Sequence, residues 1–271
     1  MFSRIPAILA VVFVALLATS CGGAGSAGVS GASPDPTFTT VEPGSPTAPT
    51  APAKLVAKNA RTSMFVTGNA SPSLASGKSG VVALVSEAAH VNQNGELPIV
   101  VRNNTAKAVE RITASGTIQD ASGKLIATGS DQGLMPNLVQ PGEIAFGYIY
   151  FQNSNIRIPP GGKVSIQLSS TPASQDTYEN IPALKVENTN LTTGEFGKQI
   201  LGQAVDQYRY HISDPIEVYA ACFSSGGRIL DIDSDFASPE NLMPNQMASY
   251  TVSLTTSHCP IYLVAASGFT S

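Results

Sequence analysis

Apolar and polar residues alternate along most of the chain beyond about residue 80, with a period of two. Ile112-Thr113-Ala114-Ser115-Gly116-Thr117-Ile118 is one such run. It is followed by a polar turn, Asp120-Ala121-Ser122-Gly123, and by Lys124-Leu125-Ile126-Ala127. Alternation on both sides of a short turn ending in Gly predicts a β-hairpin. The same order returns 104 positions later as Ile216 to Cys222, Ser224-Ser225-Gly226-Gly227 and Arg228-Ile229-Leu230-Asp231. Carried on at that spacing, Asn137-Leu138 falls on Asn241-Leu242, Phe146 on Tyr250, Tyr148 on Val252 and Tyr150 on Leu254. Upstream, Val101 falls on Val205. Two hairpins, a connecting loop and a third strand in one register predict an internal duplication.

The duplication sets the expected organisation. Unit one spans 81–172, unit two 183–271, and Ser169 to Pro182 links them. Each has some ninety residues and turn signals at short intervals. That pattern predicts an all-β protein of two tandem immunoglobulin-like β-sandwiches. Phe146 and Tyr250 are expected to point into equivalent cores. Each unit is expected to bury its own core, so either folds alone, the second more safely. Within 55–80, Met64-Phe65-Val66 reads as an added edge strand on unit one.

The N-terminus follows another pattern. Arg4 precedes an apolar run from Ile5 to Leu17, which ends in Leu17-Ala18-Thr19-Ser20-Cys21. This is secretory-signal architecture over residues 1–20, and the run is too short for a comfortable membrane span of ~20 residues. Cys21 after Ala-Thr-Ser resembles the lipobox of bacterial lipoproteins, with Ala18 where that motif usually has Leu. The resemblance implies cleavage before Cys21, a diacylglycerol (palmitate-type) anchor on its sulfur, and a place on the outer face of the cytoplasmic membrane or in the cell envelope. An ordinary signal peptide with a chance cysteine is the alternative. Residues 21–54 are Gly, Ser, Ala, Thr and Pro with almost no large apolar residue, a composition that cannot offset its ordering entropy. It is expected to be a disordered tether holding the folded part roughly 30 Å from the anchor.

Composition narrows the partners. Charged residues are 13% of the chain, the formal net charge is −4, and there is no Trp. No basic cluster is present, so nucleic acid is not an expected partner. Of three cysteines, Cys21 is assigned to lipid. Cys222 and Cys259 remain, and in an oxidising compartment they are expected to pair, the alternative being two separate buried thiols.

Strand, Asn103-Asn104-Thr105, strand, the Asp120 to Lys124 hairpin, a long loop and Leu138-Val139-Gln140-Pro141-Gly142-Glu143 follow one another in unit one. This order resembles the small β-sandwich modules of bacterial exported proteins named after a Phe-x-Leu-Tyr-Asp strand end. The naming motif survives only in part, in Gly116-Thr117-Ile118-Gln119-Asp120. Unit two has Asn245-Gln246-Met247 where the Pro-Gly-Glu triplet falls. The resemblance implies a fold and an exported context, and no activity.

Motifs for chemistry are few. Gly-x-Ser-x-Gly, Ser-x-x-Lys and His-x-x-x-His are absent, and His90, His211 and His258 stand apart. Gly77-Lys78-Ser79 ends like a phosphate loop, but Pro72 occupies the position of its first Gly, which leaves a polar turn. Asp231, Asp233 and Asp235 share one strand face. Such oxygens suit calcium, although Phe236 and Leu242 stand where a calcium loop needs Gly and Glu, so a solvated strand face is the simpler expectation. No cofactor is expected. Phe146, Tyr148 and Tyr150 share a face, either core or an exposed aromatic stripe. Tyr208 and Tyr210 share another, in a polar stretch, and are candidate surface contacts.

The expected function is therefore binding or structural: a lipid-anchored extracytoplasmic module engaging an envelope protein or a cell-wall polymer. A small-ligand carrier is the alternative, to be marked by an internal cavity. An enzyme is not expected.

Overall fold

The computed structural model describes residues 58–59, 65–152, 155–174, 182–195 and 197–270. Cys21, the signal and the tether lie outside them. All described elements are strands. Three short ones come first: β1 (Lys58–Asn59), β2 (Val66–Gly68) and β3 (Ser73–Leu74). Next come β4 (Val82–Glu87), β5 (Glu96–Asn103), β6 (Val109–Gln119), β7 (Leu125–Met135), β8 (Leu138–Val139), β9 (Ile144–Phe151) and β10 (Lys163–Pro172). The last group is β11 (Ala183–Thr193), β12 (Lys198–Val205), β13 (Ile212–Phe223), β14 (Ile229–Phe236), β15 (Met247–Leu254) and β16 (Ile261–Thr270). The protein is all-β.

Two nearly closed antiparallel sheets dominate. The first runs β10-β6-β7-β9-β5-β4, with β8 on β6; the second runs β14-β13-β16-β11-β12-β15, with β2 on β16. Matched in chain order, β4 to β11, β5 to β12, β6 to β13, β7 to β14, β9 to β15 and β10 to β16, both follow one cyclic order of neighbours. They are opened at different seams. The first lacks the β4–β10 ladder, whose counterpart β11–β16 pairs through Ala183 and Leu184. The second lacks the counterpart of β7–β9 and has there only a bridge between Ser238 and Ser249.

The hairpins coincide as the 104 spacing predicts. Asp120 N–H donates to Lys124 O and Gly123 N–H to Asp120 O; Ser224 N–H donates to Arg228 O and Gly227 N–H to Ser224 O. Gly123 and Gly227 have φ of 86° and 84°. A Cβ at Gly123 meets nothing, whereas one at Gly227 runs into the Ser73 carbonyl oxygen. Gly123→Ala should therefore cost only the left-handed strain, roughly 1–2 kcal/mol. Gly227→Ala should cost clearly more, which paired thermal melts would measure.

Outside the hairpins the spacing is 103. Asn103 N–H donates to Glu143 O and Gly142 N–H to Asn103 O; Asp206 N–H donates to Gln246 O and Asn245 N–H to Asp206 O. Pro141-Gly142-Glu143 thus corresponds to Pro244-Asn245-Gln246, and the triplet is present in altered form. Asn245 takes the positive φ of Gly142, 66° against 84°. Bulges explain the change of spacing. β13 spends four steps, Ser213 to Glu217, against two in β16, one more than β6 spends at its own bulge. β7 then bulges between Asp131 and Leu134, where β14 does not.

That single residue decides which way Phe146 points. Phe146 stands opposite Val100, and Tyr250 opposite Gly202. Gly147, not Phe146, is the counterpart of Tyr250, and a one-residue slip turns a side chain to the other face. Ile149 and Phe151 fill the inside of the first sheet against Gly116, while Phe146 and Tyr148 face the other way. The Tyr148 ring stacks on Tyr219 of the second sheet at 6.2 Å.

The two sheets share a core. Val218, Ala220 and Cys222 of β13 belong to the second cluster, but Tyr219, Ala221 and Phe223 belong to the first, together with Ile229, Ile232, Leu263 and Ala265. Sheet two is therefore buried on both faces along β13 and β16, which is why Ile216 to Phe223 is continuously apolar apart from Glu217. The added strand also lands elsewhere than expected: Val66 pairs with Ala265 of β16, on the second sheet. β10 continues to Pro172, into the expected link.

Candidate functional site

A concavity opens where the first sheet's loops meet the chain before β4. It is a cleft of about 460 Å³ lined by Ser76, Gly77, Ser79, Asn103, Asn104, Thr105 and Gly142. Its floor is held by side-chain amides. Asn103 Nδ2 donates to Lys107 O at 2.8 Å and Val139 O at 2.9 Å, while its Oδ1 accepts from the Thr105 N–H and hydroxyl. Asn104 Nδ2 donates to Ser76 O and Lys78 O, which anchors the Gly77-Lys78-Ser79 turn. The Asn-Asn-Thr and Pro-Gly-Glu motifs thus bind each other and shape the cleft. Arg102 lies buried behind them, and burial lowers its pKa. No lining side chain carries a charge. Hydroxyls and amides on a preorganised floor suit a neutral, hydroxyl- or amide-bearing ligand.

Compared with known proteins, the chain matches no family model and no curated protein. The resemblance noted in the first sheet rests on those residues alone.

In the second sheet Asp206 stands where Asn103 stands in the first. It is fully buried; Oδ1 accepts from Tyr208 N–H at 2.7 Å, while Oδ2 has no hydrogen-bond partner. Burial pushes its pKa up, opposed in part by the Tyr208 N–H and by His211. Asn103 Nδ2 reaches Val139 O, and Leu242 is the counterpart of Val139, since Val139 pairs with Val109 as Leu242 does with Ile212. Asp206→Asn should supply the missing donor. With the folded pKa above the unfolded one, stability falls as pH rises from the unfolded pKa through the folded one, then levels off. The variant should gain about 1–3 kcal/mol at neutral pH, and the gain should vanish below the unfolded carboxylate pKa. Thermal melts across pH check this.

The other candidates are placed as follows. Cys222 and Cys259 form a disulfide, with Cα atoms 5.4 Å apart. Asp231, Asp233 and Asp235 share the inward face of β14, yet among the described residues no trio of His, Cys, Asp or Glu is placed to hold a metal. Asp231 is occupied, its Oδ2 accepting from the Thr255 hydroxyl and Thr256 N–H. The calcium reading therefore lacks a cage. Asp233 is pushed up to about 6 by burial, with Glu96, Asp231 and Asp235 adding repulsion. Tyr208 and Tyr210 form a half-buried stack at 5.0 Å, packed on the second core, and the Tyr208 hydroxyl donates to Ala183 O. The aromatic triple divides: Phe146 is buried, Tyr148 half-buried and Tyr150 37% exposed. The Tyr219 hydroxyl hydrogen-bonds both the Glu217 carboxylate and Ser234. Burial raises the Glu217 pKa. The cleft escaped the sequence reading because Ser76 to Ser79 and Asn103 to Thr105 are far apart in the chain.

Proposed function

We propose that the protein is a lipid-anchored extracytoplasmic binding module. It consists of two tandem immunoglobulin-like sandwiches, 81–172 and 183–271, on a tether from Cys21, and it engages a cell-wall polymer or an envelope protein. The carrying observation is that the interior of the first sheet is closely filled. A Cβ at Gly116 would meet the Phe151 ring at 3.1 Å, and one at Gly129 would meet the Tyr150 carbonyl oxygen at 2.6 Å. A ligand must then be met from outside, which favours a binding module over a carrier. The uncharged, hydroxyl-lined cleft favours the polymer as ligand. Tyr208 and Tyr210 are secondary contacts in this reading.

Co-sedimentation of the mature chain with isolated cell walls tests it. Ser79 is exposed and outside the amide clamp, so Ser79→Trp should block the cleft and abolish retention without changing the melt. Equal retention of both proteins, or of neither, would overturn the polymer reading. Anchoring is tested separately: mass spectrometry of the membrane fraction should show an acylated N-terminal Cys21, and Cys21→Ala should release the protein. An unmodified Cys21 would end that part.

A further inference from the structure

The four end strands of the two sheets are finished differently. β4 is short and bulged between Leu84 and Ser86, and the Ser86 hydroxyl accepts the Ile229 N–H of the second sheet at 2.9 Å. β14 and β15 are stitched together at both ends, by the Ser238–Ser249 bridge and by Thr256 N–H donating to Asp231. β14 also carries Asp233 and Asp235, charges of the kind that keep edges from pairing. β10 pairs with β6 on one side, and among the described residues no backbone group bonds to its other side. β4 lies on that side without forming a ladder.

The same edge is covered in the second sheet. Ser267 and Ala266 of β16 pair with β11, and Ala265, Val264 and Leu263 pair with β2. Through their ladders to β13 and β6, these five residues correspond to Ser169, Leu168, Gln167, Ile166 and Ser165 of β10. The fold thus takes an added strand at this edge in one copy of the unit, and among the described residues no strand forms a ladder there in the other.

This unladdered edge is complementary to itself. Lys163-Val164-Ser165-Ile166-Gln167-Leu168-Ser169 holds one charge, at one end, and its bulge and Pro172 lie beyond Ser169. Val164, Ile166 and Leu168 are half-buried, and the residues between them exposed. An antiparallel two-fold pairing centred on Ile166 places Val164 opposite Leu168, Ser165 opposite Gln167 and Lys163 opposite Ser169. Apolar residues then meet apolar ones on one face, and no like charges face each other.

We propose that two copies of this protein associate through β10, edge to edge about a two-fold axis, joining their first sheets into one continuous sheet. The occupant of the edge is the β10 strand of a second copy.

Sedimentation velocity on the chain from residue 22 onward tests this over a wide concentration range. The unaltered chain should show a concentration-dependent dimer. Ser165→Lys with Gln167→Lys sets like charges opposite each other twice and should weaken the dimer about tenfold or more. Ser165→Lys with Gln167→Glu sets opposite charges there and should restore or tighten it. Both positions are exposed, so all three proteins should melt alike, which separates the effect from misfolding. A monomer at every concentration overturns the proposal. So does a dimer that is indifferent to both charge patterns, since its interface then lies elsewhere.

Discussion

Residues 183–271 produced without the preceding half should fail to give a cooperatively folded protein. The isolated segment would expose Tyr219, Phe223, Ile229, Ile232 and Leu263, all buried in the shared core. Full burial of side chains of this size contributes about 1.5–3 kcal/mol each. Five of them represent roughly 7–15 kcal/mol, comparable to the whole stability of a domain, about 5–15 kcal/mol. The segment would also lose β2 from the β16 edge. Near-UV circular dichroism and binding of an apolar dye read the result: a lost tertiary signal with dye bound is expected. A sharp melt with native near-UV bands would show that the halves are independent after all.

Removing the disulfide should have the second largest effect. Cys222 and Cys259 are 37 residues apart, and a loop of that size corresponds to about 4 kcal/mol in the chain-entropy model. Both are buried in the second cluster, so alanine at both positions avoids burying a hydroxyl there. With about 2–4 °C per kcal/mol for a protein of this size, the double alanine variant should melt roughly 8–16 °C lower. A shift of a degree or two would mean that the crosslink adds little to what packing already holds.

Local chemistry was legible in the chain and long-range geometry was not. The two hairpin turns could be read from Asp120 to Gly123 and Ser224 to Gly227, because a turn's demands fall on four adjacent residues. The cysteine pair could be read from compartment and number. The bulges could not. At Ser213 to Glu217 and at Asp131 to Leu134 alternation resumes on either side, so a rigid spacing of 104 still found apolar residues under apolar ones while sending Phe146 to the wrong face. The shared core was hidden for a related reason. Tyr219 and Phe223 alternate with Val218 and Cys222, and an apolar run buried on both faces looks like one strand of a single well-filled sandwich. The cleft joins Ser76 and Lys78 to Asn104 through hydrogen bonds from a side-chain amide to backbone carbonyls, which leave no mark in residue spacing. A spacing of 104 sets Asn103 against Gln207, and only the true spacing of 103 sets it against Asp206.

The pairing of β2 with β16 has a consequence for the order in which the molecule can be completed. Val66 and Ala265 are partners across 199 residues. As the polypeptide emerges N-terminus first, Val66 has no place to go until nearly the whole chain has been made. At synthesis rates of about 5–20 residues per second, that wait is on the order of 10–40 s. Once β10 is made, the first sheet still lacks Tyr219, Phe223, Leu263 and Ala265 until the rest of the chain follows, so its outer apolar face stays wet and sticky over that interval. The nascent protein is thus an unfinished, aggregation-exposed species through the last third of its synthesis, and final closure is a late event that waits on the last strand.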